Sequence, residues 1–163
     1  MVCEMTSLVN DCLIQHEGGE KFFDAIDEKL RDDKTLINMM INKVNDNEKF
    51  DYIIVSGQFG IVFKDYCNKY FDNIKDNIIV VNGGLRKGYA ITSFWEDYDI
   101  KNKKFIFIDD SYYLGRTRDA IKNAIEENHG ELLNTYVFYD GSKIKEDNVH
   151  SFYRYYDFHE ITE

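Results

Sequence analysis

Two adjacent carboxylates, Asp109 and Asp110, directly follow an apolar run, Phe105–Ile108, that is typical of a buried parallel strand. A short turn containing Gly115 and Thr117 comes next and leads into a helical pattern. Carboxylates at the end of a strand can bind sugar hydroxyls or a metal ion, and the free backbone N–H groups at a helix start can bind a phosphate. The spacing therefore predicts a site for a phosphorylated sugar.

The same segment resembles the signature of the type I phosphoribosyltransferases, in which an apolar strand and two acidic residues precede a loop of small and hydroxylated residues. The apolar run, the acidic pair, Gly115 and Thr117 fit this signature. Tyr113 and Leu114 depart from it, because the family usually has small or hydroxylated residues there. The resemblance covers about residues 50–142 and implies a parallel α/β fold that binds phosphoribosyl pyrophosphate.

By this resemblance, Asp109 and Asp110 would bind the ribose hydroxyls, directly or through Mg²⁺. The loop that would bind the 5-phosphate consists of Tyr113, Leu114, Gly115, Arg116 and Thr117. A simpler interpretation is that the acidic pair caps the following helix, but one cap needs only one carboxylate, and adjacent carboxylates repel each other. The strand also resembles the first strand of a phosphoacceptor receiver domain, but the chain that follows it is too short for one.

Further segments follow other predicted strands, and the carboxyl ends of parallel strands converge at one edge of a sheet. A glycine turn in the position of the family's pyrophosphate-binding loop consists of Ser56, Gly57, Gln58, Phe59 and Gly60. Arg86 and Lys87 resemble a basic pair in the mobile loop of the orotate branch, where they would act in catalysis by neutralising the leaving pyrophosphate. Tyr139 and Asp140 lie where the family often contacts the base.

Each of these segments also has a plain structural interpretation. The glycine turn is equally typical of an ordinary connection between a strand and a helix. The basic pair is compatible with a solvated basic turn, and Asp140-Gly141 with a surface turn.

Alternating strand and helix patterns predict a parallel sheet covered by helices on both faces. The predicted strands lie near 52–56, 78–82, 104–109 and 135–139. The predicted helices cover 20–31, 35–46, 60–70 and 117–129, with Gly130 as the C-terminal cap of the last. We expect one domain over 1–163: a helical cap (1–46), an α/β core (50–142) and a C-terminal tail (143–163). The aromatic run in that tail is compatible with a last strand or with an aromatic cover.

Composition limits the possible partners. The net charge of −10 over 163 residues disfavours binding to nucleic acid, which depends on Lys and Arg. No apolar run is long enough to span a membrane, and no secretory leader is evident. The three cysteines, Cys3, Cys12 and Cys67, have no metal-ligand spacing and are expected to be free thiols. We expect a cytoplasmic homodimer with a small-molecule phosphoribosyl or nucleotide ligand.

The resemblance implies an enzyme that uses Mg²⁺ and phosphoribosyl pyrophosphate, transfers phosphoribose to a nitrogenous base and releases pyrophosphate. The alternative is a non-catalytic module on the same fold that senses or sequesters a nucleotide or phosphoribosyl compound. Tyr113 and Leu114 favour this alternative, since they depart from the family at its phosphate-binding loop. The sequence does not identify the base; the branch that acts on 6-oxopurines usually has an acidic residue at the position of Tyr113.

Overall fold

A computed structural model of the chain describes residues 28–29, 34–47, 49–71, 74–81 and 98–161. Within these ranges, no helix is long and apolar enough to cross a membrane. The basic pair Arg86-Lys87 lies outside the described residues, as does the predicted helix over 20–31 except for 28–29.

A five-stranded parallel sheet forms the centre of the fold, with the strand order β2-β1-β3-β4-β5. Its strands are β1 (Tyr52–Ser56), β2 (Ile78–Val81), β3 (Lys104–Tyr112), β4 (Glu131–Asp140) and β5 (Val149–Arg154). The helices are α1 (Lys34–Asn47), α2 (Gly57–Tyr70) and α3 (Arg116–Glu127). The predicted parallel α/β fold is confirmed.

Helices pack on both faces of the sheet, because successive strand residues point to opposite faces. Ile53 and Val55 of β1 join a core cluster with α1 and α2, whereas Ile54 joins a second cluster with α3. The apolar face predicted for α1 is buried in the first cluster through Leu36, Ile37, Met40, Ile41 and Val44. The sheet therefore has no exposed face along β1, which agrees with its continuous apolar sequence.

The two central strands β3 and β4 are longer than their sequences predict. They pair with each other as far as Tyr112 and Asp140, so the prediction that β3 ends at the acidic pair is wrong. Asp109 and Asp110 lie inside the strand, because β4 supplies backbone partners beyond the apolar run. Residues 149–154 form a fifth strand parallel to β4, which decides between the two interpretations of the C-terminal tail.

The turn after β1 is shorter than predicted. Helix α2 starts at Gly57, immediately after the last strand residue, because Gly57 adopts a left-handed backbone conformation with φ of +62°. Gly60 lies within the helix, where a Cβ would come within 2.9 Å of the Val55 carbonyl carbon. The glycines thus serve different purposes: Gly57 turns the chain, and Gly60 lets the helix approach the strand.

The predicted end of α3 is also corrected. The helix ends at Glu127, and the left-handed cap residue is His129, with φ of 65°, rather than Gly130. The N–H groups of His129 and Gly130 donate to the carbonyls of Glu126 and Ile125, which is the Schellman pattern. Gly130 is needed for space instead, because a Cβ there would lie 2.8 Å from Ile125 Cγ2.

The close approach of α2 to β1 gives a test of Gly60. Gly60→Ala should lower the free energy of unfolding by about 1–3 kcal/mol, because the added methyl group meets strand backbone that cannot move aside cheaply. Urea denaturation measures the change. Gln58→Ala, at an exposed position in the same helical turn, is the control and should change stability by less than about 0.5 kcal/mol. Unchanged stability in Gly60→Ala would contradict the packing role.

Candidate functional site

The strand order reverses between β1 and β3. From β1 the chain passes to β2 on one side, and β3 then pairs with β1 on the other side. In open parallel sheets, ligands bind in the crevice outside the carboxyl ends of the strands at such a point. A ligand site is therefore expected at the carboxyl ends of β1 and β3.

At the carboxyl edge of the sheet, β3 extends further than β1. The last pair between β1 and β3 is Val55 with Ile108, whereas the pairing of β3 with β4 continues to Tyr112. In this register Ser56, the last residue of β1, is level with Asp109, so Asp110–Tyr112 extend beyond β1. We call Ser56, Gly57 and Asp109–Tyr112 together the β1/β3 step.

The acidic pair lies at the base of this step. Asp109 is half-buried and Asp110 is buried. The Asp109 Oδ1 accepts the Asp110 N–H at 2.9 Å, and the Asp110 Oδ1 accepts the Ser111 hydroxyl at 3.2 Å. Carboxylate oxygens are groups that can accept hydroxyl groups or bind a hard cation.

Two helices begin next to the step without a side-chain cap. Helix α2 begins after Ser56, and helix α3 begins after Gly115, whose φ is +73°. The Ser56 side chain makes no hydrogen bond to the first turn of α2, and Gly115 has no side chain with which to cap α3. The N–H groups of a first helical turn have no intrahelical acceptor and carry the positive end of the helix dipole. Both helix starts can therefore receive an anionic group.

The predicted phosphate loop is short, because β3 extends to Tyr112 and α3 starts at Arg116. Gly115 is buried, Thr117 is half-buried and Arg116 is exposed. Leu114 is 75% exposed. No contact of the described residues explains why an apolar side chain is placed there.

Tyr113 has a packing role in this loop. Its ring lies 5.8 Å from the ring of Tyr139. Gly141 makes room for it, since a Cβ at Gly141 would lie 2.7 Å from the Tyr113 ring. This contact explains the first departure from the family signature: the aromatic ring joins the loop to the end of β4.

The predicted pyrophosphate turn is divided by the start of α2. Ser56, Gly57 and Gln58 lie at the carboxyl edge of the sheet, and Gln58 is exposed. The side chain of Phe59 is buried in the core, and Gly60 is buried against β1. The structure thus brings residues 56–58 to the same edge as the acidic pair, and it buries the Phe59 side chain in the core and Gly60 against β1.

The predicted base-contact residues are both buried. The Asp140 Oδ1 accepts the N–H and the hydroxyl of Ser142 at 2.8 and 2.5 Å, and its Oδ2 lies 3.7 Å from Arg154 Nε. The Tyr139 ring stacks on Tyr153 at 5.8 Å, and burial raises the pKa of Tyr139. Their side chains hold the connection after β4 in place, and contact with a base by either side chain stays a prediction.

Tyr112, Arg118 and Glu146 form a polar cluster that the sequence does not predict. The Arg118 Nη2 donates to both Glu146 oxygens at 3.1 and 2.9 Å, and the Tyr112 hydroxyl donates to Glu146 Oε2. The hydrogen bond from Tyr112, and then those from Arg118, lower the pKa of Glu146. Burial, and then the hydrogen bond to Glu146, raise the pKa of Tyr112. Arg118 in α3 and Glu146 in the connection after β4 are far apart in sequence, and no sequence pattern pairs them.

Asp140 and Asp157 give a matched test of the buried connection, since both carboxylates contact Arg154 but only Asp157 is exposed. Asp140→Asn should lower the free energy of unfolding by about 1–3 kcal/mol, because Arg154 loses its buried counter-charge. Asp157→Asn should change it by less than about 0.5 kcal/mol. Thermal and urea unfolding measure both. Equal effects of the two substitutions would contradict a structural role for Asp140.

Neither the protein-family models nor the curated proteins compared with this chain include a significant match. Solved structures do match. A purine phosphoribosyltransferase from Pyrococcus horikoshii has a TM-score of 0.53 at 17% identity, over 72% of this chain and 79% of that chain. A phosphoribosyltransferase from Corynebacterium diphtheriae has a TM-score of 0.53 at 13% identity, over 96% of both chains. The UMP synthase of Leishmania donovani has a TM-score of 0.52 at 14% identity, over 89% of this chain and 29% of that chain.

At these identities the likeness concerns the backbone and not the site residues. It agrees with the five-stranded parallel sheet flanked by helices. The chain therefore has the fold of the type I phosphoribosyltransferases, at low sequence identity to these structures.

Proposed function

We propose that this protein binds phosphoribosyl pyrophosphate at the β1/β3 step and transfers its phosphoribosyl group to a nitrogenous base. The observation that carries the proposal is the position of Asp109 and Asp110 at the end of β1, beside two helix starts without side-chain caps. Phosphoribosyl pyrophosphate has sugar hydroxyls between two anionic groups. The chemistry of the step matches that order of groups.

In this proposal the acidic pair binds the ribose 2′- and 3′-hydroxyls, and the loop of residues 113–117, which leads into α3, binds the 5-phosphate. The start of α2 (Ser56, Gly57 and Gln58) binds the pyrophosphate.

The donor set fits Mg²⁺ that arrives with the substrate. Mg²⁺ prefers oxygen ligands, keeps several waters and is commonly held by one or two carboxylates together with substrate phosphates. Asp109 and Asp110 supply two such carboxylates. In the described part of the chain, no cluster of three or more His, Cys, Asp or Glu residues is arranged as a metal site. Bound Mg²⁺ would neutralise phosphate charge that this acidic protein does not balance by itself.

The reaction breaks the bond between the anomeric carbon and the pyrophosphate oxygen and forms a bond from that carbon to a base nitrogen. The chain's own groups would position the sugar and stabilise the departing charge. We assign the second task to Arg86 and Lys87, on the resemblance of their loop to the mobile loop of the orotate branch. These residues follow β2, whose carboxyl end lies on the same edge of the sheet as the step.

A second candidate function is a non-catalytic module that binds a nucleotide or phosphoribosyl compound on the same fold. Leu114 favours it, because an exposed apolar side chain replaces the hydroxyl that the family usually has beside the 5-phosphate. Tyr113 no longer favours it, since its ring packs against Tyr139. The two candidates share the ligand and differ in turnover.

Replacing the acidic pair tests ligand binding. Asp109→Asn combined with Asp110→Asn should weaken Mg²⁺-dependent binding of phosphoribosyl pyrophosphate at least ~100-fold, because charged hydrogen-bond acceptors for the hydroxyls and the cation are lost. The melting temperature should stay the same or rise, since the amides keep the shape and relieve carboxylate repulsion. Titration calorimetry and thermal unfolding measure the two quantities.

The control for this variant is Asp65→Asn combined with Asp99→Asn, which changes the same net charge at exposed positions. Its affinity should equal that of the wild type. If the double variant of the acidic pair binds as tightly as the wild type, the pair has only a structural role.

Replacing Lys87 separates the two candidate functions. In an enzyme, Lys87→Ala should lower kcat by about 10²-fold, the scale expected when one charge-stabilising group is lost, with a much smaller change in KM. Release of pyrophosphate across a panel of bases measures turnover. The control is Lys101→Ala, an exposed position that precedes β3 and so lies at the opposite edge of the sheet. Absence of turnover in the wild type would favour the binding module.

A further inference from the structure

One carboxylate contacts both ends of the loop that we assign to the 5-phosphate. Glu146 lies in the connection between β4 and β5 and accepts the hydroxyl of Tyr112, the last residue of β3. It also accepts Arg118 Nη2 through both oxygens. Arg118 is in the first turn of α3. Tyr112 before the loop and Arg118 after it therefore both donate hydrogen bonds to the Glu146 carboxylate.

Two of the three side chains in this contact are shielded from water, while the Glu146 side chain is 36% exposed. Tyr112 and Arg118 are each 7% exposed, and the Arg118 guanidinium lies 5.5 Å from the centre of the Tyr112 ring. The other Arg118 nitrogens also have protein acceptors: Nε donates to Asp119 Oδ1 at 2.7 Å, and Nη1 donates to Asn148 Oδ1 at 3.4 Å. Arg118 thus has all three nitrogens engaged and its charge balanced within the protein. It is not held ready for a phosphate.

The loop itself lies against the groups that Glu146 holds. A Cβ at Gly115 would lie 2.5 Å from the Tyr112 hydroxyl oxygen and 3.4 Å from Arg118 Nη2. Gly115 is the left-handed residue that directs the following N–H groups into the first turn of α3. A shift of Tyr112 or Arg118 would therefore shift Gly115 and the N–H groups that follow it.

We propose that Glu146 is a positioning residue for 5-phosphate binding, acting through Tyr112 and Arg118 on the backbone around Gly115. The proposal rests on the proposed function, because it assigns the 5-phosphate to this loop. A loop fixed before the ligand arrives loses less conformational entropy on binding, so the affinity of the site increases. Glu146 itself makes no contact with the ligand in this arrangement.

Competition between Glu146 and a phosphate for Arg118 would change the phosphate affinity in the opposite direction. If Glu146 competed with a phosphate for Arg118, removing its carboxylate would release a buried cation beside α3 and tighten phosphate binding. The direction of the affinity change therefore distinguishes positioning from competition.

The test titrates two separate probes into the full-length protein. Ribose 5-phosphate reports on the acidic pair and the loop, and inorganic pyrophosphate with Mg²⁺ reports on the start of α2. Glu146→Ala should weaken ribose 5-phosphate binding about 10-fold or more, and pyrophosphate binding should change by less than about 2-fold. Glu146→Gln keeps one acceptor oxygen and should have an intermediate affinity. Asp147→Asn, the exposed neighbouring residue, is the control and should bind both probes like the wild type.

A more conservative variant and a second measurement test the proposal if Glu146→Ala does not fold. Tyr112→Phe removes only the hydroxyl donor and should weaken ribose 5-phosphate binding in the same direction as Glu146→Gln. Hydrogen exchange without ligand should become faster at the amides of residues 115–119 in both variants, while the amides of α2 keep their protection.

Several results would overturn the proposal. Unchanged or tighter ribose 5-phosphate binding in Glu146→Gln and Tyr112→Phe would remove the positioning role, and an equal loss for both probes would show general destabilisation. In those cases wild-type binding still supports the proposed function. Absence of ribose 5-phosphate binding by the wild type would overturn the proposed function and, with it, the role of Glu146.

Discussion

The parallel ladder between β3 and β4 determines where the loops of the candidate site meet. It continues to the pair Tyr112 and Asp140 after the pairing of β1 with β3 has stopped at Ile108. Because backbone hydrogen bonds fix each strand relative to its neighbour, this difference in length leaves the acidic pair beside the end of β1 and close to the start of α2. The helix start that we assign to the 5-phosphate is held by the same ladder, since α3 follows β3 after a short loop.

Polar contacts of buried and partly buried side chains then hold the upper part of that ladder. Asp140 with Arg154, and Glu146 with Arg118 and Tyr112, connect the segments after β3 and β4 to each other and to β5. Burying charged groups is costly unless every partner is present, so these contacts favour one arrangement of the loops over alternatives. Tyr113 packing on Tyr139 adds an apolar contact to the same connection. A rigid edge of this kind suits a site that must hold a flexible anionic sugar in one orientation.

The sequence predicts the architecture well, because apolar strand runs separated by helical patterns leave few arrangements other than a parallel sheet. It predicts strand ends poorly, since β3 and β4 extend through polar residues only because each supplies the other with hydrogen-bond partners. Residue type and spacing alone single out the acidic pair and Gly115 as candidate site residues. They do not single out Glu146, because its hydrogen-bond partners are distant in sequence and an acidic residue in a loop is common. In the sequence Tyr113 is only a departure from a binding motif, and its packing role depends on the space left by Gly141.

The proposed function is tested most directly by a crystal structure of the protein with phosphoribosyl pyrophosphate and Mg²⁺. We expect the ribose hydroxyls within hydrogen-bond distance of Asp109 and Asp110 or of a Mg²⁺ ion bound there. The 5-phosphate should accept N–H groups from residues 113–117, and the pyrophosphate should lie at the start of α2. A ligand bound elsewhere, or a sugar without contact to either carboxylate at saturating concentration, would contradict the proposed site.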